Sequence, residues 1–194
     1  MNLSMLDREQ LESLLLDPPG DPTEVPRCSE NFTIEYPPGD VSDRSVRIRH
    51  VLAAAHELLV RIANTALVGR SLLNQPALVK EYLKVNFAGA ERETFVVIFL
   101  DAQMRVIATE ELFAGTLTQT AVYPREVVKR ALHHNAGSIL CAHPHLSGRA
   151  DPSHADEVLT SNLKAALALV DIRLVDHFVV AGSTCVSFAE CGRL

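Results

Sequence analysis

Residues 139–156 read ILCAHPHLSGRADPSHAD, and the fold turns on how that stretch divides. The apolar run 138–142 predicts a short buried strand ending in His143-Pro144-His145. Side chains two apart on an extended strand share a face, so both imidazoles can aim at one point. Ser147, Gly148 and Pro152 then mark a turn-rich loop. Ser153 opens a helix, and Asp156 falls in its first turn. Two histidines and a carboxylate thus approach from a strand end and a helix start. A catalytic zinc takes three protein ligands and keeps a further position for water.

The same residues support a plainer reading. Ser153-x-x-Asp156 ahead of an apolar helix fits a capping box. Asp156 would then serve backbone donors and the positive helix end. His143 and His145 would be hydrogen-bonded loop residues. Spacing alone leaves both readings open.

The spacing His143-x-His145, seven residues, Ser153, two residues, Asp156 resembles the JAMM motif of MPN/JAB-domain metalloproteases. The wider context resembles the RadC family of bacterial proteins. The matching stretches are FVVIFLD (95–101), ELFAGT (111–116), VYPREVVKRA (122–131), Ser147-Gly148 and Asp176-His177-Phe178. The resemblance covers about residues 74–194. It implies an α/β chain with the MPN/JAB fold, a layout related to cytidine deaminases. Helices would cover a mixed β-sheet, with a Zn²⁺ site of His143, His145 and Asp156 at its edge.

Two positions depart from the pattern. The family usually reads H-N-H-P-S-G, whereas this chain has His143-Pro144-His145-Leu146-Ser147-Gly148. Pro144 has no N–H and a fixed φ. It also biases His143 towards extended geometry, which suits a strand end.

Zinc acidifies water, but a base must still accept and relay the proton. The resemblance places that glutamate at a strand start upstream of the histidines, and Glu93 is the match; Glu91 is the rival. Ser153 has two available roles, capping its helix and supporting an oxyanion. Asp176 and His177 are candidates to orient a ligand histidine from behind. Cys141 is expected as a small buried residue. His154, His133 and His134 are expected on helix surfaces.

The 194 residues suit one compact domain with an appendage. Apolar residues make up 47% of the chain, ample for a core, yet no run is long enough to span a bilayer. The first ten residues lack the apolar core of a secretory signal. Cys28, Cys141, Cys185 and Cys191 form no C-x-x-C pair, so a reducing, cytoplasmic setting is expected. Residues 1–45 hold ten acids and three bases, a net of −7. The remainder therefore carries +1 of the total −6. An acidic arm repels phosphate backbones, and no basic stripe argues for duplex DNA.

The expected organisation has three parts. Residues 1–45 form an acidic, Pro/Gly-rich flexible arm, beginning with a short helix over 1–16 capped by Ser4. Residues 46–73 form a helical lead-in, helical over 46–68, without the glycine-containing hairpin of the helix-hairpin-helix module that usually precedes RadC-like domains. Residues 74–194 form the MPN/JAB domain. Within it come a helix over 76–86, a central strand over 95–100 and a return over 104–109. A separate extended segment follows over 112–122, with Thr116, Thr118, Gln119 and Thr120, then a helix from Pro124 to about His134. The helix from Ser153 runs to Val170, and a hairpin of 172–180 and 184–188 ends the chain.

The expected activity is zinc-dependent hydrolysis of a peptide or isopeptide bond in a protein or peptide substrate. The alternative is a RadC-like scaffold or DNA-repair-associated binding protein whose zinc is not catalytic. The deaminase signature H-x-E…P-C-x-x-C is absent, which ranks deamination low.

Overall fold

The computed structural model describes residues 6–16, 43–72, 75–115 and 122–194. Ser4, Cys28, the arm over 17–42 and the polar run Thr116, Thr118, Gln119 and Thr120 lie outside the described residues. In chain order the elements are α1 (Arg8–Leu16), α2 (Asp43–Leu67), α3 (Pro76–Asn86), β1 (Thr94–Leu100), β2 (Val106–Ala114), α4 (Pro124–His133), β3 (Ser138–Pro144), α5 (His154–Ala168), β4 (Arg173–Ala181) and β5 (Thr184–Ser187). Contacts divide the chain into two compact units, Met1–Ile62 and Ala63–Leu194. In the first, Leu11 of α1 and Ala54 of α2 are buried, while Leu52 and Leu59 of α2 are exposed.

The second unit is built on a five-stranded mixed sheet in the order β2-β1-β3-β4-β5. Both strands rich in β-branched, aromatic and other apolar residues, β1 and β3, are buried along their whole length. That is the expected state of interior strands covered on both faces. The apolar run 95–100 is a central strand as expected, with β1 between β2 and β3, and β3 holds the middle place. The β3–β4 pair is parallel, and the other pairs are antiparallel. Parallel neighbours need a crossover, which α5 supplies.

Alternation sorts the strands' side chains onto two faces. Val96, Ile98, Leu100, Leu140 and Ala142 pack with Val79 and Leu83 of α3. Phe95, Val97, Phe99, Ile139 and Cys141 pack with α4 (Val127, Ala131) and α5 (Leu163, Leu167). The sheet is thus flanked by helices on both faces, as an α/β domain of the JAB/MPN kind requires.

Three local expectations change. The return strand is continuous from Val106 to Ala114, with bulges opposite Phe95/Val96 and Phe99/Leu100 in place of a break near Glu110. Extra residues in a bulge disturb the two-residue alternation, so the sequence resembles two segments. The second helix starts at Asp43, three residues early. His134 is half-buried rather than exposed: its ring lies 4.5 Å from that of Phe99, and its Nε2 is 2.7 Å from Glu110 Oε1. His133 does remain exposed.

Candidate metal centre

The face shared by Ile139 and Cys141 continues along β3 to His143, which is 7% exposed. His145 follows two residues on. Pairing of β3 with β1 ends at Val96↔Ala142, while pairing with β4 continues to Pro144↔Val180. The His145 N–H donates to Val180 O at 2.8 Å, towards β4. By alternation, the Pro144 nitrogen faces the β1 side, past the last paired position there. Continued by two residues, the register sets Pro144 opposite Thr94, the first residue of β1; the proline offers no N–H there, and the β1–β3 ladder stops short of it, while its fixed φ continues the strand.

The loop after β3 aims the second histidine. Gly148 has φ +78°, a left-handed conformation that glycine adopts without steric penalty, and its N–H reaches His145 O at 3.3 Å. The turn brings Arg149 O to 2.9 Å from His145 Nδ1. A carbonyl oxygen only accepts, so Nδ1 carries the hydrogen and Nε2 of neutral His145 keeps a lone pair.

Asp156 fulfils both readings of its motif. Ser153 Oγ accepts from Asp156 N at 3.2 Å, and Ser153 N donates to Asp156 Oδ2 at 2.7 Å, a complete capping box. Ser153 Oγ also donates to Oδ2 at 2.6 Å. The same carboxylate faces both histidines: Oδ1 lies 3.1 Å from His143 Nε2, and Oδ2 lies 3.3 Å from His145 Nε2. The two Nε2 atoms are 3.1 Å apart. One ligand atom from each of His143, His145 and Asp156 lies within 4.8 Å of the others. Two imidazole nitrogens and a carboxylate oxygen form a donor set suited to zinc.

Behind His143 stands His177, fully buried, with Nε2 3.0 Å from His143 Nδ1. The far nitrogen of His177, Nδ1, is 2.7 Å from Thr160 Oγ1. Asp176 points elsewhere. It accepts from the His177 N–H, the Ser187 hydroxyl and the Ala189 N–H, and so holds the C-terminal turn. A bulge decides which of the two neighbours faces the site. The β3–β4 register steps from Ile139↔Leu174 to Leu140↔Asp176, and Cys141 then pairs with His177.

Glu93 is half-buried and directly precedes β1. Counting back from Phe95, Val97 and Phe99 places it on the site's face of the sheet. Its carbonyl accepts from Gly115 N at 2.7 Å, which ties it to the end of β2. Glu91 is exposed. His154 is exposed and sits 3.7 Å from Glu157.

The charges at the centre favour a cation. Burial alone would raise the Asp156 pKa, but hydrogen bonds from His143 and His145, made when a proton occupies the Nε2 positions that a metal would take, and one from Ser153, hold it well below the usual carboxylate range. The bond to Asp156 raises His145, against burial and with help from the Arg149 carbonyl and the Glu93 charge. Burial first, and then the charge of His143, push His177 down to about 3, so it stays neutral. Burial pushes up the thiol of Cys141, two residues before His143 on β3, and the cluster of converging ligand atoms does not include it.

Sequence reasoning overlooked Thr160. The available signal was its spacing, one helical turn after Asp156 and hence on the same face of α5.

A family model described as RadC-like JAB domain matches residues 73–193. The UPF0758 protein of Nitrosospira multiformis is 56% identical over 143 residues, which cover 74% of this chain and 64% of that protein. The UPF0758 protein of a Polaromonas species is 54% identical over 146 residues, 75% of this chain and 65% of its own. That of Methylibium petroleiphilum is 52% identical over 156 residues, 80% and 70% of the two chains. The chain spans just under two thirds of the length of the first two relatives. With the family match covering most of its residues and relatives more than half identical, the chain belongs to the RadC-like JAB domain family.

Proposed function

We propose that the chain is a zinc-dependent hydrolase of the JAMM type, cleaving a peptide or isopeptide bond. His143, His145 and Asp156 hold the metal, and Glu93 is the base. The convergence of those three side chains carries the reading. Family membership supports a metal-dependent hydrolase-like scaffold. Zinc, when bound, supplies an acidified water and Lewis-acid polarisation of a carbonyl.

The protein's own groups do the rest. Asp156 stays ionised and balances part of the cation's charge. His145 presents a lone pair because Arg149 O holds the hydrogen on its other nitrogen. Glu93 accepts the proton of the attacking water and returns it to the leaving nitrogen. Ser153 holds the carboxylate in place; its hydroxyl hydrogen is engaged by Asp156 Oδ2. It supports an oxyanion only by rotating off that oxygen, a hydrogen bond worth about 1.5–3 kcal/mol when one partner is charged.

The net charge of −6 favours a protein or peptide substrate over nucleic acid. Cys141, Cys185 and Cys191 are free thiols, which fits a reducing compartment such as the cytoplasm. No helix among the described residues is long and apolar enough to cross a membrane.

The test is a peptide-library cleavage assay on zinc-loaded protein, with a chelator-treated control. Cleavage should vanish on chelation and fall by about 10²–10⁴-fold in Glu93→Gln. Chelation-resistant cleavage refutes the metal reading. A fully active Glu93→Gln removes Glu93 from the base's role.

A further inference from the structure

We propose that Thr160 is a positioning residue for the metal: through His177, its hydroxyl fixes which nitrogen of His143 carries hydrogen. This rests on the metal-centre reading above and adds the element that orients its most buried histidine.

The argument follows hydrogens. Thr160 Oγ1 lies 2.6 Å from Asp156 O. A backbone carbonyl oxygen cannot donate, so the hydroxyl must donate to it. A hydroxyl has one hydrogen, and that hydrogen is now committed. His177 Nδ1, 2.7 Å from the same oxygen, must therefore be the donor in that contact. Neutral His177 is left with a bare Nε2, 3.0 Å from His143 Nδ1. His143 Nδ1 then donates, and in the neutral ring the lone pair falls on Nε2. That is the atom facing Asp156 Oδ1 and His145 Nε2, each at 3.1 Å.

The opposite arrangement is closed off by burial. Thr160 is 2% exposed, His177 0% and His143 7%, so no solvent hydrogen is at hand to replace a misplaced one. Reversing the chain would turn the Thr160 hydroxyl towards His177 and leave two oxygens 2.6 Å apart with no hydrogen between them. The relay begins on the backbone carbonyl of Asp156 and ends in a lone pair that faces the carboxylate of the same residue, two acceptors between which a cation would fit. The two histidines of the centre are fixed by separate devices: His145 by the Arg149 carbonyl, His143 by the Thr160 hydroxyl.

The test pairs Thr160→Val, which keeps the shape without the hydroxyl, with Thr160→Ser, which keeps the hydroxyl. Zinc affinity is measured by competition with a chromophoric chelator, and ring tautomers are read from histidine ¹⁵N shifts at alkaline pH. Thr160→Val should bind zinc on the order of 10- to 100-fold more weakly, and Thr160→Ser close to wild type. Wild-type protein should show hydrogen on Nδ1 of both His143 and His177. Hydrogen on Nε2 of His177, or a folded Thr160→Val that binds zinc as tightly as wild type, overturns the proposal. If Thr160→Val does not fold, the wild-type tautomers decide. Wild-type protein that takes up no zinc defeats the metal-centre reading instead, and the tautomers in that zinc-free protein still decide the relay.

Discussion

Asp156 Oδ2 accepts from the backbone N–H of Ser153 at 2.7 Å and from its hydroxyl at 2.6 Å. One carboxylate therefore starts α5 and faces two imidazoles. Helix capping aims this side chain, and the two readings of the motif describe the same geometry.

Ser153→Ala separates the contributions. The helix loses its cap, which costs about 1 kcal/mol of stability, read by urea unfolding of zinc-free protein. Asp156 also loses one of the two donors that orient it, so zinc affinity should fall along with stability. A variant as stable and as zinc-avid as wild type would falsify this coupling.

Gly148→Ala strains the loop that aims His145. Nothing lies within 4 Å of the added Cβ, so the penalty is the positive φ alone. It should amount to about 1–2 kcal/mol. If the loop relaxes to a negative φ, Arg149 O leaves His145 Nδ1, and zinc binding weakens while the sheet stays intact. Chelator competition beside far-ultraviolet circular dichroism checks both halves of that expectation.

Pro144→Ala should be almost silent. The nitrogen it restores faces Thr94 of β1, so one ladder bond can be gained as the rigidity of the ring is lost, and the two effects oppose each other. Unfolding free energy should change by no more than about 1 kcal/mol, and zinc stoichiometry should not change. Collapse of either would mean that the ring itself holds His143 in place.

The buried imidazole of His177 predicts an acid-side signature. Its ordinary pKa of 6.5 is lowered to about 3 in the fold. Below pH 6.5 the unfolded chain therefore binds a proton that the folded chain refuses, and stability falls as pH falls. The slope attributable to one such proton is about 1.4 kcal/mol per pH unit. His145, whose pKa is raised, contributes stability that is lost as pH rises through its folded value; that contribution is common to both proteins and cancels in the comparison. In zinc-free His177→Gln the slope between pH 6.5 and the carboxylate range should be shallower by that amount. Denaturant titrations at several pH values measure it; parallel profiles for the two proteins would exclude His177 as the source.

What the sequence disclosed follows from locality. The apolar run at 95–100 and Pro76 and Pro124 at helix starts were readable because each signal lies within its own element. So was the convergence of His143, His145 and Asp156, since 14 residues contain the whole motif. Cys141 is buried as expected. The bulge before Leu140↔Asp176 was not readable, because register belongs to two strands and is written in neither alone. Without it, adjacent Asp176 and His177 could not be assigned to faces. The place of His134 failed for a similar reason: its partners, Glu110 and Phe99, come from two other strands.

The chain order β3, α5, β4 also sets an order of events during synthesis. His143, His145 and Asp156 leave the ribosome before His177, which travels on the later strand. A nascent chain holds every donor atom while the imidazole that steers the first of them has still to be made. Under the proposed relay, tight capture of a cation waits for the crossover to close, so an ion held at full strength reports a finished domain.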